Sequence, residues 1–211
     1  MTKSIYDQLN AYGTVAKQRF VENFSGSALD TDRWSTNNVR GTNTFAMDDS
    51  IDGGFKVTTG AGSYDSGSIT FNNIRQYSQT SSVIIAVTKL TSPTVSTNYV
   101  GFTDHQDSPV QASASDGTVM ENGQPNGNIR LGTSQTGAST FVATTTARTS
   151  NWITSKIEML SSTATLSLAG VIEATVSSNL PTSPNQPHFM TLTNEAVLHI
   201  GNIRYCEAYN T

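Results

Sequence analysis

Charge is what this 211-residue chain has least of: Asp, Glu, Lys and Arg together make up 13% of it, against about 25% in an ordinary globular domain. The 12 Lys and Arg are scattered among 16 Asp and Glu, giving a formal net charge of −4 and a sequence pI near 5.2. Without a basic cluster there is no electrostatic footprint for nucleic acid, and an anionic membrane surface is an equally poor partner. No apolar run approaches the length that spans a bilayer. Cysteine is nearly absent: Cys206 stands alone, which excludes an intrachain disulfide and reads as a small buried side chain. The opening Met1-Thr2-Lys3-Ser4-Ile5-Tyr6 has no apolar stretch of signal-peptide type. The expectation is a chain made in the cytoplasm, and Asn23-Phe24-Ser25 gains no weight as a glycosylation site.

What is plentiful is Ser and Thr, roughly a quarter of the residues, together with 16 Gly. Thr, Val, Ile and Tyr fit a pleated, half-buried surface, so the composition reads as all-β. Period-two alternation runs through Gly54-Phe55-Lys56-Val57-Thr58 and Ser66 to Phe71. Val83-Ile84-Ile85-Ala86-Val87 is continuously apolar, as expected of a central strand covered on both faces. Tyr99–Phe102 and Asn128–Leu131 are shorter strand candidates. Between them, Asp107 to Gly127 is rich in Ser, Asp, Gly, Asn and Pro and is predicted to be mostly loop. In the last third, Trp152 to Leu160, the hairpin around Ala169-Gly170, and His188–Thr193 and Val197–Tyr209 complete the set. Many short strands with no alternating helices predict a single antiparallel β-sandwich.

The N-terminus differs. Ile5, Leu9, Tyr12 and Ala16 recur at helical spacing with Gly13 interrupting. The reading is a short helical arm, residues 1–18, ahead of a sandwich over 19–211. Ile5, Tyr6, Leu9 and Tyr12 are its candidate assembly contacts.

Three blocks carry a resemblance. Phe20-Val21-Glu22-Asn23-Phe24-Ser25-Gly26 leads through Leu29-Asp30 to Trp34. Trp152 leads through Lys156-Ile157-Glu158 to Gly170, Ala174, Asn179-Leu180-Pro181 and Pro184. Leu198-His199-Ile200-Gly201-Asn202-Ile203-Arg204-Tyr205 closes the chain. In order and spacing they resemble the concanavalin A-like lectin/glucanase superfamily, and within it the laminarinase-type glycoside hydrolases. The resemblance implies a jelly roll whose first and last strands lie side by side. It also implies a catalytic Glu-x-Asp-x-Glu strand, since alternate residues share a face and retaining glycosidases need two carboxyl groups about 5 Å apart. No such triplet occurs in the sequence. Along the nearest strand candidate the alternate positions read Asp104, Gln106, Ser108 or Thr103, His105, Asp107, and Glu121, Glu158 and Glu173 stand alone. The expectation is a non-enzyme.

Asp48, Ser50 and Asp52 before Gly53 are spaced like calcium ligands, but the twelfth position is Thr59 instead of Glu, so an acidic hairpin turn is the better reading. His105, His188 and His199 have no zinc-ligand spacing, and no metal or cofactor is expected. If Val100 and Phe102 face the core, Tyr99, Thr103 and His105 face outward beside Arg130, a candidate glycan-binding face.

The missing signal, absent triplet, separate arm and Ser/Thr-rich strands point to a structural or adhesive component of a virus or phage particle, such as a capsid decoration or fibre protein. It would reside in the virion as a homo-oligomer among other virion proteins, with the arm as anchor. The alternative is a lectin-like carbohydrate-binding module, and a divergent glycoside hydrolase ranks third.

Overall fold

The structure, a computed structural model, describes residues 19–48, 53–72, 77–104, 116–123, 127–183 and 185–211. The arm residues Ile5, Tyr6, Leu9 and Tyr12, along with His105, Ser50 and Asp52, lie outside that set. All regular elements among the described residues are strands, paired antiparallel into two sheets. One sheet runs β13(Val171–Val176), β12(Ala164–Leu168), β11(Ile153–Met159), β6(Ser82–Leu90), β15(Ile200–Asn210), β4(Phe55–Thr58), β3(Thr44–Met47), with β1(Arg19–Glu22) also on β15. The other runs β10(Ala138–Ala147), β9(Asn128–Gln135), β8(Gly117–Gly123), β7(Ser96–Thr103), β14(Gln186–Thr193), β5(Ser66–Phe71), β2(Trp34–Arg40).

The core is the layer between the sheets. Alternate residues of each strand enter it: Ile84 and Ala86 from β6, Ile153, Ile157 and Met159 from β11, Val100 and Phe102 from β7, Ile129 and Leu131 from β9. At one end the first strand locks to the rest through rings. Phe20 meets Trp34 edge-on at 5.8 Å and stacks on Phe71 at 4.5 Å, while Phe24 lies 5.3 Å from Trp34. Such pairs favour offset and edge-to-face geometries. First and last strands are adjacent, with Phe20 opposite Ala208 and Glu22 opposite Cys206. Cys206 is buried, and burial drives its thiol upward.

Two sequence expectations need correction. Within the stretch 107–127, predicted to be mostly loop, Gly117–Gly123 forms a strand, β8, hydrogen-bonded between β7 and β9. Its Glu121 and Asn122 are accommodated by partners instead of solvent. Asn122 donates to the Thr149 carbonyl at 2.9 Å and accepts from the Thr149 amide at 3.1 Å. The apolar run on β6 is central, as expected, but its outward residues Ile85 and Val87 are only half-buried.

Candidate functional site

The outward face of the seven-stranded sheet is read directly from register. Across it, Met190 on β14 is opposite Tyr99 on β7, Tyr99 opposite Glu121 on β8, Glu121 opposite Arg130 on β9. One residue pair along the strands, His188, Gly101, Val119, Gly132 and Phe141 form the next row. Tyr99, Val119 and Met190 make a second buried cluster, with Val39, Phe141 and Leu192 packed on it.

At its centre is an ion pair. Arg130 Nε donates to Glu121 Oε1 at 2.8 Å and Nη2 donates to Oε2 at 2.7 Å, the fork-on-carboxylate geometry that binds strongest. Tyr99 stands directly opposite Glu121 in the β7–β8 register, beside the same carboxylate. Glu121's side chain is 1% exposed and Arg130's 16%. Arg130 also lies over the Phe141 ring, 4.1 Å from its centroid. Gly132 makes that stacking fit, because a Cβ there would stand 2.5 Å from the ring. Burial pushes the Glu121 carboxyl above its usual range, against the downward pull of Arg130 and the tyrosine. Burial likewise raises the Tyr99 hydroxyl, reinforced by the Glu121 charge.

Among the described residues, β8 does not present the paired carboxylates of a retaining glycosidase. Alternate positions along β8 on the Glu121 side are Gly117, Val119 and Glu121, a single carboxylate. A general acid must give up a proton within reach of a leaving oxygen, whereas both oxygens of Glu121 are occupied by Arg130. Asp116, just before β8, is also engaged. Its carboxylate accepts the Thr136 amide at 2.9 Å, the Thr182 amide at 2.7 Å and the Ser183 amide at 3.1 Å. That ties the β9–β10 turn to the Leu180-Pro181 turn.

Of the residues singled out from sequence, Tyr99 and Arg130 are brought together, both on Glu121. Tyr99 is buried in this row and does not stand as an open ring, and Thr103 is buried four residues along the same strand. Glu121 is the single carboxylate on its face of β8 and is not without a partner, since Arg130 holds it. Glu158 accepts Lys156 Nζ at 2.9 Å, and Glu173 accepts the Thr146 hydroxyl at 2.6 Å. Phe141 lies on β10, which has no readable period, and Gly132 lies on β9 just beyond the Asn128–Leu131 candidate. Asp48 closes the β3–β4 hairpin, its amide donating to the Gly54 carbonyl at 2.7 Å and its carboxylate accepting Asn202 at 2.9 Å. Among the described residues no three His, Cys, Asp or Glu side chains gather as metal ligands.

The opposite sheet carries a second group of the same type. Arg19 Nε donates to Glu207 Oε1 at 2.9 Å and the Tyr205 hydroxyl donates to Oε2 at 2.6 Å. Burial and Glu207 push Tyr205 up to about 12. This group clamps β1 onto β15.

No protein-family model and no curated protein matches the sequence. Solved structures do match the fold. The Bacillus licheniformis beta-glucanase superimposes with a TM-score of 0.66 at 11% identity, over 92% of this chain and 98% of that one. A glycoside hydrolase family 16 endo-glucanase from Bacteroides ovatus gives 0.63 at 14% identity, over 89% and 98%. A pseudo beta-1,3-glucanase of Mycobacterium tuberculosis, an immunostimulatory antigen, gives 0.63 at 11%, over 91% and 98%. The chain thus has the concanavalin A-like jelly-roll fold that these structures share, and no Glu-x-Asp-x-Glu triplet occurs in its sequence.

Proposed function

We propose that this chain binds glycans without cleaving them. The observation that carries the reading is the state of Glu121. It is the one carboxylate among the alternate positions Gly117, Val119 and Glu121 of β8, and it is sealed under Arg130 and Tyr99. A fold shared with beta-glucanases supplies the sugar-binding context, and one immobilised carboxylate does not supply the acid and nucleophile that cleavage requires. A labelled preparation on an array of neutral and acidic oligosaccharides should retain a subset of them, and the same preparation should release no reducing sugar from β-glucans. An empty array would remove the reading. Release of reducing sugar that disappears in Glu121→Gln would replace it with a hydrolase.

A structural or adhesive role in a virus or phage particle is a second reading, compatible with the first. What favours it is the Arg19–Glu207–Tyr205 clamp, which ties the sandwich firmly to the strand that follows residues 1–18. Under it, residues 1–18 anchor the sandwich 19–211 to a homo-oligomer or other particle proteins. Deleting 1–18 should leave a folded sandwich and abolish attachment, and attachment that survives the deletion would exclude the arm as anchor.

A further inference from the structure

Outside the row around Glu121, one aromatic ring is held out into solvent by a backbone conformation that costs free energy. Tyr64 is 52% exposed, and its φ of +66° lies in the left-handed region that a non-glycine residue rarely adopts. Such strain persists only where the surroundings over-determine it, and here they do. Tyr64 sits in the segment joining β4 of one sheet to β5 of the other, beside the segment joining β2 to β3. Asn43, itself buried, stitches the two segments together. Its Nδ2 donates to the Ser66 carbonyl at 2.8 Å and the Arg40 carbonyl at 3.0 Å, and its Oδ1 accepts the Gly60 amide at 3.1 Å. Asp65 fixes the turn from inside, accepting the Gly62 amide at 2.8 Å, while its own carbonyl accepts the Thr193 amide at 3.0 Å. Gly41, Gly60 and Gly62 crowd its carboxylate so closely that a Cβ on any of them would stand 2.1, 2.2 or 2.9 Å from it.

The product is a rigid rim with two presented groups. The Arg40 guanidinium stands over the Tyr64 ring, 5.7 Å from its centroid, and Ser63 is exposed beside it. A fixed ring with apolar surface, next to a fan of N–H donors and a hydroxyl, matches a pyranose: the C–H face of the sugar lies on the ring and its hydroxyls meet the polar groups. Ordering the ring in advance removes an entropy cost from binding.

We propose that Tyr64 and Arg40 form a saccharide-binding platform at the sheet rim, taking a neutral pyranose unit of a glycan chain. This rests on the glycan-binding reading above and locates a contact for it. The test is NMR of the Tyr64 ring during titration with laminari-oligosaccharides, mixed-linkage gluco-oligosaccharides and the best array binder. Saturable ring shifts are expected. Tyr64→Ala and Arg40→Ala should each weaken the array binding by about tenfold, and Tyr64→Phe should keep it. Tyr64→Gly separates binding from folding: relief of the left-handed strain should leave its melting temperature at or above that of the parent, with binding lost. If a glycan binds and Tyr64→Ala or Tyr64→Gly binds it equally well, the platform is wrong while the glycan-binding reading stands. If no oligosaccharide binds the parent, both fall.

Discussion

Glu121 holds a charge where water scarcely reaches it, and the cost of that position falls on Arg130 and Tyr99. Removing one partner of a buried ion pair leaves the other uncompensated and typically costs about 3–5 kcal/mol. Arg130→Met should therefore lower stability by that order in urea unfolding. Adding Glu121→Gln to it should recover part of the loss, because the stranded charge goes with it. A double variant no more stable than Arg130→Met would show that packing on Phe141 matters more than the ion pair.

Asp116 has the opposite leaning. Burial pushes its carboxyl up, but the amides of Thr136, Thr182 and Ser183 and the Thr182 hydroxyl together bring it below the ordinary value. Its proton is bound less tightly in the folded chain than in the unfolded one, so the charged group adds stability at neutral pH. That contribution is complete above the unfolded value of about 3.9 and disappears as pH falls through the lower folded value. Asp116→Asn should be less stable at pH 7, and its melting temperature should fall less steeply than the parent's below about pH 4. Parallel curves would place the acid sensitivity elsewhere.

At the scale of elements, the strands most legible in sequence are those with clean alternation or strong apolar content: β4, β5, β6, β11, β12, β13, β14 and β15. β8 is not, for a physical reason. Its residues Gly117-Thr118-Val119-Met120-Glu121-Asn122-Gly123 are all buried, and Glu121 and Asn122 are satisfied by Arg130 and Thr149, partners brought in by chain folding and invisible to local pattern. β10 escaped for the converse reason: an edge strand of Ala, Ser and Thr with little buried surface has no period to read. Its one decisive residue, Phe141, leans over Gly132 and supports Arg130. Gly132→Ala must displace that ring, a strained repacking of the kind that costs about 1–3 kcal/mol. Its urea midpoint should fall, and an unchanged midpoint would mean that Phe141 moves freely.

For the molecule as a whole, the sandwich and its neighbouring first and last strands were legible because Phe20, Trp34 and the closing strand occur in order along the chain. The candidate site was only half legible. Alternation places Tyr99 and Arg130 on one face, but that Glu121 lies between them does not show in sequence, because β8 has no readable strand pattern. Tyr64 left no periodic trace at all; its exposure and φ exist only in the folded loop.

The central claim, binding without cleavage, is tested most directly by proton NMR of β-1,3- and mixed-linkage gluco-oligosaccharides mixed with the purified chain and followed over hours. Broadened or shifted ligand resonances with no new reducing-end anomeric signal are the expected result. New anomeric signals that grow with time and vanish in Glu121→Gln would contradict it, and ligand spectra untouched by the protein would leave the chain with no part in glycan binding.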